Sequence, residues 1–321
     1  MRPTGKLHLG HLLGALNNWV ALQEKYDCFY FVADWHALTS DYADTSELTA
    51  NAIDNAADWL AGGLDPEHST LFLQSLVPEH AELHLLLSMI IPIPWLERVP
   101  TYKEQQEQVT DKDLSTYGFL GYPLLQTADI IIYDAHYVPV GEDQVPHLEL
   151  SREVVRRFHG FYGDVFVEPQ PLLTHFPRLP GLDNRKMSKS YGNAINLTDD
   201  PETVKKKVRQ MYTDPKRVRA DVPGTVEGNP VFVYHDAFNT DKAEVEDLKA
   251  RYRAGKVGDV EVKDKLSRAM NAALEPLRER RAAVLQAPGR VREILFEGSG
   301  RARKVAIETM ERVRDAVKLK Y

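Results

Sequence analysis

The first half of this 321-residue chain alternates strand-like and helix-like segments, and that alternation limits the fold more than any other feature. "LGHLLGALNNWVALQEKY" carries apolar residues at helical spacing, and the β-rich run "CFYFVADW" follows it. "SELTANAIDNAADWLAGGL" is helical again and stops at Gly62-Gly63. "STLFLQS" reads as a strand, and "DIIIYDAHYVPVG" as a strand with its exit. Strands separated by helices pair in parallel, because each connection must cross over the sheet. The expected fold is therefore α/β: a doubly wound, parallel, Rossmann-like sheet covered by helices on both faces. After Pro201 the strand signals stop, and four long segments with polar faces read as helices around the Gly/Pro loop "DPKRVRADVPGTVEGNPV". The expected division is a sheet domain over residues 1–192 and a C-terminal helical bundle over 193–321, whose last helix is free to pack back on the sheet domain.

Composition narrows the class. A hydrophobic fraction of 43% and a charged fraction of 27% are those of an ordinary globular protein. Cys28 is the only cysteine, which excludes an internal disulfide and a Cys-rich zinc site. It sits in an apolar run, so a buried, reduced thiol is expected. The longest apolar run, "LHLLLSMIIPIPWL", is broken by two prolines and falls short of the ~20 residues of a membrane span. The N-terminus has the pattern of neither a signal nor a transit peptide, so a cytoplasmic location is expected. The net charge is −7, yet residues Arg278 to Tyr321 hold twelve Lys/Arg against six Asp/Glu. Lys205 to Arg219 hold seven Lys/Arg against Asp214 alone. Each stretch is either a polyanion-facing surface or a set of solvated helix faces.

Two short motifs carry chemistry. "RPTGKLHLGH" opens the chain, with His8 and His11 flanking Gly10 at a helix start. A metal site would need further ligands, and no His/Glu or Cys cluster lies nearby. Ordinary turn-and-cap chemistry would use Pro3 and Gly5 for the turn and leave the two histidines to cap the helix or pack. A phosphate cradle uses everything: a tight turn over Pro3, Thr4 and Gly5, free N–H groups at the helix start, and two imidazole donors. Gly10 leaves room beside the backbone for a flat ring such as adenine. Such a turn is expected to follow a strand, and only Met1 and Arg2 precede Pro3, so the chain is expected to begin late. The second motif, "RKMSKS", spans Arg185 to Ser190. Lys186 and Lys189 are compact charges on flexible stems, suited to closing on a triphosphate.

Together "PTGKLHLGH" and "RKMSKS" resemble the paired signatures of class I aminoacyl-tRNA synthetases. "VPVGEDQ", "YPLLQTAD", "ADWHALT" and "ERVPTYKEQ" are similar to the tryptophanyl branch, and the resemblance covers essentially the whole chain. It implies catalytic roles for His8, His11, Lys186 and Lys189. It implies an ATP site of Arg2, Pro3, Thr4, Gly10, His11, Gly141, Glu142, Asp143, Leu179, Lys186, Met187, Ser188, Lys189 and Ser190. It further implies a tryptophan pocket in which Asp129 accepts the indole N–H, Tyr122 and Gln144 meet the α-amino group, and His36 and Gln126 line the wall. Tyr122, Gln126 and Asp129 share one helix face by their spacing. ATP with accompanying Mg2+, L-tryptophan and tRNA(Trp) are the implied partners. A homodimer is implied too, with "LHLLLSMIIPIPWLERV" as the candidate interface. No dedicated metal site is expected. Two departures stand out. Gln126 replaces the methionine of many bacterial relatives, and Tyr-x-x-x-Gln-x-x-Asp is also the tyrosyl pattern, so tyrosine is the alternative substrate. Gln105 replaces a lysine that usually follows the one matching Lys103. A coenzyme-forming adenylyltransferase would share the first turn but not the helical domain. A catalytically silent paralogue would keep both motifs.

Overall fold

The computed structural model describes residues 1–108, 112–173, 179–187, 191–217, 219–287 and 289–321. Helix α1 (Leu9–His11) continues through a π-turn (Leu12–Leu16) into α2 (Asn17–Leu22). Then come β1 (Cys28–Val32), α3 (Asp34–Asp41), α4 (Leu48–Gly62), β2 (Ser69–Leu73), α5 (Glu79–Ser88), α6 (Ile93–Glu97) and α7 (Pro100–Gln108). The middle of the chain supplies α8 (Tyr117–Ile131), β3 (Tyr137–Val140), α9 (Val145–Tyr162) and β4 (Gln170–Leu173). The remainder is helical: α10 (Pro201–Arg209), α11 (Pro230–Phe238), α12 (Lys242–Arg253), α13 (Asp259–Leu285) and α14 (Arg290–Ala316).

Two parallel strand pairs form among the described residues. β1 pairs with β2, Cys28 opposite Ser69 and Val32 opposite Leu73. β3 pairs with β4, Tyr137 opposite Gln170 and Val140 opposite Leu173. Each pair is joined by helices, α3 and α4 in the first case and α9 in the second, which is the βαβ arrangement that the sequence pattern demands. Met1 adds one step of parallel ladder to β1: its nitrogen donates to Phe31 O at 2.6 Å and its carbonyl accepts from Ala33 N at 2.8 Å. α4 ends as expected, with Gly63 at φ 111° closing the helix in a conformation that needs glycine.

Two segments differ from the sequence reading. "DIII" is not a strand: Ile130 and Ile131 close α8, and the strand begins only at Tyr137. The β-branched run suggested a strand, but Leu124, Ala128 and Ile131 are all buried at helical spacing, and packing of that face outweighs propensity. The second is α11, whose first residues Pro230 and Val231 the sequence reading placed in the Gly/Pro loop; its remainder was left unassigned, as were α5 to α7, α9 and β4. Pro230 occupies its first turn and the Asn229 side chain caps it by accepting Val231 N at 3.0 Å. Cys28 is buried and free.

The basic C-terminal stretch is largely spent inside the molecule. Arg281 donates to Asp58 at 2.6 Å and also pairs with Asp54. Arg303 meets Glu79 at 3.0 Å, Arg314 meets Glu82 at 2.7 Å, and Arg312 meets Asp134. Arg280 and Arg301 donate to the carbonyls of Ala61 and Pro66. These cations clasp α13 and α14 to the acidic first half of the chain. The partly exposed pairs among these contribute little energy each, whereas Arg281 also meets the fully buried Asp58, and the guanidinium forks fix orientation. The buried core is continuous across residue 192: one cluster contains Leu9, Val32 and Trp59 together with Ile195, Met270 and Leu295. α14 lies directly on β2, where Ser299 Oγ accepts Leu73 N at 3.2 Å.

Candidate active site

Two polar constellations occupy the ends of the parallel strands, where open α/β sheets bind ligands. The first is built by the opening turn. His8 caps α1 by accepting Gly10 N on Nδ1 at 3.1 Å, and His11 Nδ1 accepts His8 N at 3.1 Å. With both Nδ1 atoms used as acceptors, each neutral ring carries its proton on Nε2. The rings lie together, centroids 3.8 Å apart. Gly5 turns the chain at φ 91°, a value that favours glycine.

The second motif meets the first here. The backbone after "RKMSKS" pairs antiparallel with the opening turn: Leu9 N donates to Ile195 O at 3.0 Å and Leu197 N to Leu7 O at 2.9 Å. A Cβ on Gly10 would lie 3.3 Å from Met187 Sδ and 2.9 Å from His8 Cε1. The glycine thus makes room for the methionine of the second motif as well as for the histidine ring. Lys186 is exposed, its carbonyl held by the buried Asn193 amide at 3.1 Å. Asn193 also donates to Asp183 at 2.8 Å, and Leu179 is buried at the base of the loop. Ser188, Lys189 and Ser190 lie outside the described residues.

Not every residue of the expected ATP set is free to meet phosphate. Arg2 donates to Ser40 and to Asp41 at 3.3 Å, so its charge is already opposed. Pro3 and Thr4 line a hollow of about 290 Å³ with Asp41, Asp44 and Glu47; Asp41 is matched by Arg2 and Lys112, and Asp44 and Glu47 leave the lining acidic and unfavourable to anions. Gly141 sits at the carboxyl end of β3 and opens the short turn Glu142–Gln144. A Cβ there would come within 2.8 Å of Asp143 Oδ1, so the glycine admits the acid. Gln144 donates to Asp143 at 3.3 Å.

The second constellation centres on Asp129, which α8 buries almost completely. Its carboxylate takes three side-chain hydrogen bonds: His36 Nε2 to Oδ2 at 2.8 Å, Gln74 Nε2 to Oδ1 at 2.8 Å, and His80 Nδ1 to Oδ1 at 2.6 Å. Burial opposes ionisation, but the bonds from His36 and His80 outweigh it and hold the carboxyl well below the usual range. His36 and Gln74 stand just beyond the carboxyl ends of β1 and β2. Tyr122 lies two turns earlier on α8, and burial raises its hydroxyl. Thr101 Oγ1 links that hydroxyl, at 2.9 Å, to His147. Burial pushes the His147 imidazole down to about 4, so it is neutral near pH 7. Gln126 is half-buried on the same helix. Asp129 and His36, chosen from sequence, are in direct contact. Gln74, His80, Thr101 and His147 were missed because they come from four separate segments of the chain. His80 and His84, four apart on α5, were the one available signal.

The comparisons agree with this geometry. The family described as tRNA synthetases class I (W and Y) matches residues 1–275. A tryptophan–tRNA ligase of Thermotoga maritima is 51% identical over 322 residues, covering 100% of this chain and 98% of the relative. The tryptophanyl-tRNA synthetase of Campylobacter jejuni, solved with ADP and tryptophan, superposes with a TM-score of 0.89 at 33% identity, covering 99% of this chain and 98% of that one. A tyrosyl-tRNA synthetase of Archaeoglobus fulgidus, solved with L-tyrosine, reaches 0.66 at 25% identity and covers 88% of each chain. With sheet pairing, joined motifs and full-length identity in agreement, the chain belongs to the class I tRNA synthetases of the tryptophan and tyrosine family, on the tryptophanyl branch.

Proposed function

We propose that this protein is a tryptophan–tRNA ligase. It activates L-tryptophan with ATP to tryptophanyl-adenylate and pyrophosphate, then transfers tryptophan to the 3′ ribose of tRNA(Trp). The observation that carries the reading is the buried, ionised Asp129 in a chain that matches tryptophan–tRNA ligases over its full length. In the first step a tryptophan carboxylate oxygen attacks the α-phosphorus in line. The bond from that phosphorus to the bridging oxygen breaks and pyrophosphate leaves; Mg2+ accompanying ATP would supply further charge neutralisation there. Such a reaction needs positioning and charge stabilisation rather than a side-chain nucleophile.

His8 and His11 offer Nε2–H donors beside the start of α1, where the helix end also favours anions. Lys186 and Lys189 balance charge on the leaving pyrophosphate, and Met187, Ser188 and Ser190 belong to the same ATP-binding motif. Because the hollow behind the turn is acidic, the phosphates lie on the side of His8 and Gly10. Gly141, Glu142 and Asp143 hold the ribose side, and Leu179 closes the base of the loop. Asp129 accepts the indole N–H, while Tyr122 and Gln144 bind the ammonium. His36 and Gln126 complete the wall. The protein works in the cytoplasm as a homodimer. The exposed Leu85 on α5, Met89 just after it and Ile93 at the start of α6 form an apolar face suited to a second copy.

Amino-acid-dependent ATP–pyrophosphate exchange, run with all twenty amino acids and Mg2+, tests this reading. Exchange with tryptophan alone is expected. Exchange with tyrosine would put Gln126 above the other pocket residues, and exchange with none would mean a silent paralogue.

Residues 193–321 are proposed to bind the anticodon. The supporting feature is a hollow of about 430 Å³ between α10 and α13, where Lys205, Arg209 and Arg268 outnumber Glu202 and Asp264, Arg209 pairing with Asp264 at 3.2 Å, beside Ser267 and Asn271. Not all of the basic stretch faces out: Arg217 is buried, donating to the carbonyls of Ala220, Val222 and Val257. Lys205→Ala with Arg268→Ala is therefore expected to lower aminoacylation kcat/KM for tRNA by about tenfold and to flatten its salt dependence, one contact being a kcal/mol or so. Tryptophan-dependent exchange should be unchanged. Equal loss in both assays would refute the assignment.

A further inference from the structure

Nothing so far explains why Asp129 should present one acceptor position to a ligand rather than two or none. We infer that His80, backed by Tyr133, is a positioning residue that commits Oδ1 of Asp129 to the protein and leaves one lone-pair position on Oδ2 for a ligand N–H. The inference rests on the proposal that Asp129 receives the indole.

A carboxylate has about four in-plane acceptor positions. Gln74 and His80 fill both positions on Oδ1, at 2.8 and 2.6 Å. His36 fills one on Oδ2, at 2.8 Å. Among the described residues a single position remains, and an indole N–H satisfies it.

Each donor is itself fixed. The Gln74 carbonyl accepts His36 N at 3.4 Å, so its amide N–H must face Asp129. His80 is fully buried. Its Nδ1 faces an ionised carboxylate and so donates to it, and in a ring that carries that one proton Nε2 is an acceptor. The atom facing that Nε2 is the Tyr133 hydroxyl, at 2.6 Å. Burial raises the Tyr133 hydroxyl above its ordinary value, so it keeps its proton and donates. The chain therefore runs one way, from Tyr133 to His80 to Asp129. Its far end is held by ring packing, Tyr133 stacking on Phe29 with centroids 4.7 Å apart. Without the His80 donor, Oδ1 regains an empty position. The carboxylate then rotates or takes water, and the preference for a ligand N–H weakens.

The test compares tryptophan with its benzothiophene isostere, in which sulfur replaces the indole N–H, in ATP–pyrophosphate exchange by the full-length protein. A site built around a hydrogen bond rejects the partner lacking it by a factor on the order of 10³ or more. His80→Phe is expected to reduce that ratio at least tenfold, raising KM for tryptophan with KM for ATP unchanged. His80→Asn, whose amide nitrogen mimics Nδ1, should restore most of the ratio. Tyr133→Phe keeps the ring stack and should reduce the ratio about threefold to tenfold, so the inference does not hang on one variant that fails to fold. A ratio unchanged in folded His80→Phe or Tyr133→Phe would overturn the inference, whatever the loss in overall rate. Asp129→Asn separates the two levels. If it leaves the ratio intact, the indole assignment itself fails; if it collapses the ratio while His80→Phe does not, only the role of His80 fails.

Discussion

Asp129→Asn lowers kcat/KM for tryptophan in pyrophosphate exchange by about 10³. The estimate combines a charge-assisted hydrogen bond with the cost of a buried group left facing the wrong partner, about 4 kcal/mol in all. The wild-type carboxylate receives donors from His36, Gln74 and His80. An amide nitrogen in place of either oxygen turns a donor against a donor. KM for ATP should be nearly unchanged, since no nucleotide contact is removed. The same substitution alters stability in a defined direction. The native carboxyl titrates below its ordinary value of 3.8, so in that acidic range the unfolded chain binds more protons than the native one. Its contribution to stability is therefore full above about pH 4 and is lost as pH falls further. Asp129→Asn lacks that contribution, so its stability falls less steeply on acidification. Urea midpoints at pH 7 and at pH 3.5 check this. A wild-type slope retained in the variant would show that other carboxylates carry it.

What the sequence disclosed, and what it hid, follows from where the information sits. Local patterns marked β1, β2 and α4, because each is periodic within one segment, while the helix that carries Tyr122, Gln126 and Asp129 entered through the resemblance, the local run from Asp129 reading as a strand. The two motifs disclosed the chemistry, and the chain brings them together through Leu9 and Ile195. The boundary of α8 was hidden because a run of three isoleucines satisfies a buried helix end as well as a strand. The support of Asp129 was hidden more deeply. Gln74 lies just after β2, His80 lies on α5 and Tyr133 lies just after α8, so no window of sequence contains the network. Charge was misleading for a related reason. The surplus of Lys/Arg after Arg278 is visible as composition, but its acidic partners Asp54, Asp58, Glu79, Glu82 and Asp134 lie far away in the chain. Only the folded chain shows that those charges meet one another.

Gly298 is where that long-range packing is most exposed to a single methyl group. It lies in α14 over β2, and a Cβ there would sit 1.8 Å from the Leu71 carbonyl oxygen and 2.8 Å from its carbon. Backbone of a paired strand cannot step aside as a side chain would. Gly298→Ala should therefore destabilise the protein by about 3 kcal/mol, a large overpacking cost that outweighs the ~1 kcal/mol gained in helix propensity. Gly300, two residues on in the same helix, meets nothing within 4 Å of its added Cβ. Gly300→Ala should stabilise by up to about 1 kcal/mol, so the pair of substitutions isolates contact from propensity. The effect should reach the active site. Ser299 receives the Leu73 N–H, and the next residue is Gln74, the amide that holds Asp129. Lifting α14 from β2 loosens that amide. Gly298→Ala should thus raise KM for tryptophan severalfold while Gly300→Ala leaves it unchanged. Denaturation and exchange kinetics on the two variants decide the matter: equal stabilities would mean that α14 does not seat on β2, and a destabilised Gly298→Ala with normal KM would break the link from that packing to the tryptophan pocket.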